Sequence, residues 1–497
     1  MLDPLSPAAA PRREDVLAHP DVQAALERVP GMQSLRLSQL SPDAIYLGGL
    51  TATETVDALR SGNLTATEVV QAAIDRAKAA CHLGLIDHEL FDQALEQAGE
   101  LDRSGDFSAP LAGVPIAIKA NVALAGAPSS YGSRVNAGQP DAEQSAPHVE
   151  DFLELGVIPI FMASTSEYGF NGAVEPEHGP PTRNPYNLQR TSGGSSGGSA
   201  VAVSAGVVPI AHGTDGGGSI RIPAALTGVI GMKPSRDRLT ALDGAERLPV
   251  AVNTPGVLAR TPADLSIAMH HLDRGDAASM EPIGEVAGSI EEALRIGYYV
   301  DPVEGHASPA VRAATEGMVE TLRALGHSVE EIEPPHRQSF VDDFFSLYQL
   351  LAFALKRDLD EDPNRSSEHL ETFTRGLADI STTQALWFFT TVPNRFNHGH
   401  ARRYEQATNR FDLILNPTVT RTAPPVGSLN TGQPFDSMVD NLLSLVAYTP
   451  LQNVFGQPAI SIPVGLAEDG LPVGVQFSAK TGEDALLLSL AHELLDP

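Results

Sequence analysis

Cysteine occurs once in the 497 residues, as Cys81, so neither an intramolecular disulfide nor a cysteine-built zinc site can form. A lone thiol of this kind is expected to be buried and inert. Basic residues are scarce, 33 Lys and Arg against 62 Asp and Glu, for a formal net charge of −29. That balance argues against nucleic acid as a partner, because phosphate neutralisation needs clustered Lys and Arg. It also disfavours anionic membrane surfaces and slows anionic substrates. No apolar run reaches the ~18 residues of a membrane span, and the N-terminus MLDPLSPAAAPRRED has no basic stretch followed by an apolar one. The expectation is a cytoplasmic protein with no membrane partner. Aromatic residues amount to 5%. Their densest cluster, Trp387, Phe388 and Phe389 in the helical stretch 341–410, is expected in the core rather than along a substrate wall.

The remaining composition, 42% hydrophobic and 19% charged, is that of a globular chain with ample core. Residues 1–48 mix Pro, Ala and charge and read as an N-terminal extension that packs on the main body or frays. Residues 49–497 show no internal repeat and no separable boundary. Thr65 and Glu68 fit a capping box followed by apolar spacing at Val69, Ala72, Ala73 and Ala77, which predicts a helix. The run Gly113-Val-Pro-Ile-Ala-Ile, bounded by turn formers, predicts a buried strand ending at Lys119. Val157 to Thr165 and Val207 to Gly213 predict two more strands, and Ser196 to Gly206 predicts a close-packed small-residue helix. Toward the end, LQNVFGQPAISIPVGLAEDGLPVGVQFSA predicts paired strands around an Asp-Gly turn at 469–470. Strand, turn and helix recur in that order, which favours an α/β sheet with helices on its faces.

Chemistry concentrates between Arg190 and Pro223, RTSGGSSGGSAVAVSAGVVPIAHGTDGGGSIRIP. Composition alone allows a flexible Gly/Ser linker, but linkers seldom run straight into an apolar helix and a buried strand. The second cluster, Thr214-Asp-Gly-Gly-Gly-Ser-Ile-Arg, could cradle a phosphate at a helix N-terminus. It lacks both the Gly-Lys-Ser/Thr ending of a P-loop and the spaced glycines of a dinucleotide fingerprint. The other anion that such backbone amides hold is a developing oxyanion, with the adjacent serine as nucleophile. Acyl transfer is therefore the leading chemistry. A Ser-His-Asp triad has little support, since Ser219 has no G-x-S-x-G elbow around it, and His212 reads as a structural residue at a strand end.

Lys119 after GVPIAI, the run G-G-S-S-G-G-S and the run T-D-G-G-G-S-I-R-I-P-A, in that order, resemble the amidase signature family of serine hydrolases. The interval between Ser195 and Ser219, 24 positions (219 − 195), also resembles the family's spacing of two catalytic serines. The likeness covers about residues 50–490, with NPYNLQRTSGGSSGG and NVFGQPAISIPVG adding to it. It implies a single large mixed β-sheet covered by helices on both faces. It further implies Ser219 as nucleophile, Ser195 as a bridging serine at a cis peptide, and Lys119 as general base. The amides of Gly216, Gly217, Gly218 and Ser219 would form the oxyanion hole, and Ser196, Thr214, Asp215 and Arg221 would support the loop. One departure is visible, Ala120 where many members carry aspartate. The implied reaction is hydrolysis of a small neutral amide, cyclic amide or carbamate with no metal or organic cofactor, and the T-D-G-G-G-S loop looks most like the branch containing 6-aminohexanoate cyclic-dimer hydrolases. Alternatives are the A subunit of a tRNA-dependent amidotransferase, an aryl acylamidase or ester hydrolase, and, from another class, a non-catalytic binding protein. Relatives are commonly homodimers, and the acyl pocket is expected from 121–150 and 300–450.

A free lysine has a pKa of about 10.4, so only about 4 in 10,000 are neutral at pH 7. Burial at the end of an apolar strand would lower that value and make Lys119 a usable base.

Overall fold

The computed structural model describes residues 19–244, 250–275, 280–288, 290 and 292–496. The first 18 residues of the expected extension lie outside the described residues. Residues 19–49 do not fray. Helices Pro20–Arg28 and Pro42–Gly49 and the 3-10 turn Pro30–Ser34 between them bury Val22, Ala25, Met32 and Ile45 in the same apolar cluster as the helix Ala66–Ala79 and the helix Gly197–Ser204. The Thr65 and Glu68 capping box forms, and a second one, Thr51 with Glu54, opens the helix Ala52–Arg60.

Thirteen strands are described: β1 (Ile86–Glu89), β2 (Pro115–Lys119), β3 (Ile158–Ala163), β4 (Arg183–Asn184), β5 (Asn187–Thr191), β6 (Ile210–Asp215), β7 (Ile230–Lys233), β8 (Thr254–Ala259), β9 (Arg295–Tyr298), β10 (Ser328–Glu331), β11 (Leu413–Pro417), β12 (Ala459–Leu466) and β13 (Pro472–Ala479). Eleven form one sheet in the order β1-β3-β2-β6-β8-β7-β12-β13-β11-β9-β10, and β4 with β5 makes a small hairpin. The sheet is mixed: β3, β2 and β6 run parallel, as do β11, β9 and β10, whereas β6 to β13 pair antiparallel through the middle. Helices cover both faces, and each face has its own core. On β2, Ile116 and Ile118 enter one core and Ala117 the other. Period-two alternation therefore turns the Lys119 side chain to the face that carries the helix Gly197–Ser204.

One expectation fails and another holds only in part. Cys81 is exposed rather than buried, because it starts a short 3-10 turn after the helix Ala66–Ala79 and its neighbours Ala80 and Leu83 take the buried positions. The aromatic cluster forms core only in part: Trp387 is 48% and Phe389 53% exposed, whereas Phe388 is partly buried and packs against an apolar cluster. The helix Thr382–Arg395 turns Ala385, Phe388 and Val392 inward, so its aromatics at 387 and 389 fall on the outer side. No helix among the described residues is long and apolar enough to cross a membrane.

Candidate active site

The site is made where β2 and β6 end beside each other. The β2 and β6 ladder pairs Ile116 with Ile210 and Ala117 with Ala211, and beyond it the strands release Lys119 and Thr214 into a shared buried space. Lys119 is fully buried. Its Nζ donates to Ser195 Oγ at 2.8 Å, to Thr214 Oγ1 at 2.8 Å and to the Thr214 carbonyl at 3.3 Å. Burial pulls the amine down to about 7, against the opposing pull of the Asp215 carboxylate. Asn121 supports the same hydroxyl by donating to Thr214 Oγ1 at 2.9 Å. Ala120, where a carboxylate was anticipated from the resemblance, is buried, and its backbone bonds Ala163 and Tyr131. The polar support of the lysine comes from Thr214 and Asn121 instead.

The two serine clusters are held together by backbone. The peptide bond Gly194–Ser195 is cis. The Ser196 N–H donates to the Ser219 carbonyl at 3.0 Å, and Ser196 Oγ donates to the Thr214 carbonyl at 3.2 Å. Ser195 and Ser219 consequently line one cavity, together with Thr214, Asn121 and Gly216. The glycine cluster is required sterically. Gly218 adopts φ +120°, and a methyl group there would overlap the Thr449 hydroxyl.

Asp215 and Arg221 hold the loop from below. Both are fully buried and paired at 2.8 Å through Arg221 Nη2 and at 2.9 Å through Arg221 Nε. Burial by itself would raise the Asp215 carboxyl, but Arg221 and Asn453 outweigh it and hold the group far below the ordinary carboxylate range. Asp215 also accepts the amides of Gly218 at 2.7 Å and Ile220 at 3.1 Å. The remaining guanidinium donors go to Gln452 at 3.2 Å, Gln476 at 2.6 Å and Asn453 at 2.6 Å. These three residues had no role in the sequence reading. Their signal was the polar Gln-Asn pair inside the apolar segment 450–460 and the lone Gln within the strand 472–479, polar groups that a buried ion pair requires.

The orientation of each amide follows from the planar trans peptide, which points C=O and N–H in opposite directions. Asn453 Nδ2 donates to the Asp215 carbonyl at 2.8 Å, so the Gly216 N–H points away from Asn453. Ile222 N–H donates to the Gly218 carbonyl at 2.7 Å, so the Ser219 N–H points away from the helix Arg221–Thr227. The Gly218 amide differs from its neighbours, being committed to Asp215.

Ser219 stands between two chambers. One is of mixed character and holds the polar groups of Asn121, Thr214, Ser195, Asn253 and Asp243. The other is lined chiefly by Ile222, Phe340, Phe344, Phe373, Leu442 and Leu451. Of the two stretches expected to build the pocket, 300–450 supplies most of the apolar wall, whereas 121–150 supplies only Asn121 among the described lining residues. The loop 168–172 was missed. A methyl group on Gly169 would lie 3.3 Å from Ser195 Oγ, so this loop walls the serine directly. His212 stays outside the cavity. Its Nδ1 accepts the Lys119 amide at 3.4 Å, its ring packs on Phe152 and His148, and burial holds it neutral, with a pKa well below the ordinary value. Among the described residues no group of His, Cys, Asp and Glu is arranged to hold a metal ion.

A family model described as Amidase matches residues 68–488. AmiC of Mycobacterium tuberculosis (strain ATCC 25618 / H37Rv), which bears an amidase name, is 39% identical over 454 residues, covering 90% of this chain and 94% of that protein. The 6-aminohexanoate-cyclic-dimer hydrolase of Pseudomonas sp. (strain NK87) is 31% identical over 424 residues, 78% of this chain and 83% of its own. A solved structure of a 6-aminohexanoate cyclic dimer hydrolase complexed with substrate superposes with a TM-score of 0.80 at 28% identity, covering 90% of this chain and 96% of the other.

Proposed function

The chain belongs to the amidase signature family of hydrolases acting on carbon–nitrogen bonds, and from that premise we propose that it cleaves a neutral amide through a Ser219 acyl-enzyme, with Ser195 and Lys119 as its proton relay. The observation that carries this reading is the fully buried Lys119 amine, 2.8 Å from Ser195 Oγ. A lysine brought to about 7 is substantially neutral at neutral pH and can accept a proton. In the proposed cycle Ser219 Oγ attacks the carbonyl carbon as its proton passes to Ser195, and the Ser195 proton passes to Lys119. The tetrahedral oxyanion is held by the amides of Gly216, Gly217 and Ser219, with Gly218 excluded because its N–H is committed to Asp215. Collapse breaks the C–N bond, and Lys119 returns the proton through Ser195 to the departing amine. Water, deprotonated along the same relay, then attacks the Ser219 ester and releases a carboxylic acid.

The two chambers give the substrate a direction. The aromatic and aliphatic chamber suits an uncharged, apolar group, and the chamber with Asn121 and Asn253 suits the polar side of the scissile bond. Cyclic amides, as in the named relative, and linear amides both meet that description.

The test is product mass spectrometry on a primary amide, an anilide, a cyclic lactam dimer, a carbamate and an ester, with Ser219→Ala in parallel. Cleavage of a carbon–nitrogen substrate is expected from the native protein and not from the variant, and a fluorophosphonate should label Ser219. Full turnover by Ser219→Ala would refute the assignment.

A further inference from the structure

The helix Gln338–Glu361 brings Tyr348 to the boundary between the two chambers, and its side chain lines both of them beside Ser219. The ring is fixed by packing, with centroids 4.9 Å from Phe344 and 5.9 Å from Phe170. Its hydroxyl sits against the glycine loop. A methyl group built on Gly217 would come 2.8 Å from the Tyr348 oxygen, and one built on Gly216 would come 3.4 Å from it. Among the described residues that hydroxyl has no hydrogen-bond partner. Tyr348 is half-buried, so its hydroxyl is open to the cavity and free to find its partner in a ligand there. The surroundings are aromatic on two sides and glycine on the third, so the open direction is the cavity itself.

We propose that Tyr348 is a catalytic residue that donates its hydroxyl proton in a hydrogen bond to the substrate carbonyl oxygen as this becomes the oxyanion, in the position that the Gly218 amide leaves open. The inference rests on the acyl-transfer reading above. No proton is transferred: the O–H bond remains intact, and the hydrogen bond strengthens as negative charge develops on the oxygen. Burial, helped by the neighbouring Asp215 charge, pushes the phenol well above its ordinary pKa, so it remains a donor across the working pH range. Glycine at 217 has a reason in this arrangement, since a side chain there would push the hydroxyl away from the loop.

The test compares Tyr348→Phe with the native protein. The change removes one oxygen and keeps the ring that packs on Phe344 and Phe170, and thermal denaturation confirms that the variant is folded. On whichever amide the native protein cleaves, kcat is expected to fall about 10²-fold, as for loss of one oxyanion donor. KM should change by less than about threefold, because the interaction belongs to the transition state. The rate of labelling by a fluorophosphonate, whose phosphoryl oxygen enters the same hole, should fall by a similar factor, which gives a readout independent of substrate. Unchanged kcat and labelling rate in Tyr348→Phe, with normal labelling of the native protein, would overturn the role of Tyr348 and leave the Ser219 reading standing. A rise in KM alone would also overturn it, by making Tyr348 a ground-state binding group. Absence of labelling in the native protein, or full activity of Ser219→Ala, would remove both.

Discussion

Two lysines among the described residues are fully buried, and of the two only Lys119 faces the cavity. Lys119 and Lys233 are both brought to about 7 by burial. Lys233 gives its amine to the neighbouring Pro234 carbonyl at 2.6 Å, whereas Lys119 gives its own to Ser195 and Thr214. Burial makes a lysine neutral, and its contacts decide whether the neutral amine is useful. The pH dependence follows with a definite sign. The base must be unprotonated, so kcat/KM should fall as pH drops below about 7 and level off above it, measured as a pH–rate profile; an optimum confined below pH 6 would contradict it. Stability shows the same group from the other side. The folded pKa lies below the unfolded value of about 10.4, so the unfolded chain binds more protons between the two and Lys119 adds stability as pH rises through that window. Lys119→Met should therefore abolish turnover while raising the melting temperature near pH 6, and this advantage over the native protein should shrink toward pH 10. An unchanged difference across that range would mean that the lysine is not titrating as described.

At the scale of elements, the catalytic loop is a strand-to-helix turn clamped by an ion pair. Asp215 ends β6, Arg221 begins the helix Arg221–Thr227, and the pair locks the five residues between them, 216–220. The clamp extends to the helix Pro450–Phe455 and to β13 through Gln452, Asn453 and Gln476. Removing one partner leaves a buried charge without compensation, which typically costs about 3–5 kcal/mol. Arg221→Met should lose stability of that order in urea denaturation, together with most activity. A loss below about 1 kcal/mol would place the clamp among weak surface pairs. This element could be anticipated from residue order, since T-D-G-G-G-S-I-R already places acid and base either side of the glycines. Its outer partners, more than 200 positions away in sequence, could not, because the polar residues of a buried network are distinguishable from ordinary ones only once burial is known.

For the whole molecule, the two-faced sheet explains why the N-terminal residues matter. Ile45 is fully buried in the same cluster as Ala117 of β2 and Ala211 of β6, the strands that carry Lys119 and Thr214. Ile45→Ala should cost about 2–5 kcal/mol, the range for a large-to-small change in a packed core. A change below about 0.5 kcal/mol, by thermal or urea denaturation, would return residues 19–49 to the status of a loosely attached extension.

The sequence by itself determined the local features: strand ends, helix starts, the glycine cluster, and the order in which a lysine, two serines and an acid–base pair follow one another. These depend on neighbours within a few positions, where backbone periodicity and capping leave a direct trace. Tertiary structure alone decided which side chains are buried and which groups they meet. It placed Cys81 and Trp387 at the surface, committed the Gly218 amide to Asp215, and brought Tyr348 from 129 positions beyond Ser219 (348 − 219) to its side. The reason is physical. Burial and polar satisfaction are properties of the assembled core, where a residue's energy depends on contacts that no local pattern encodes.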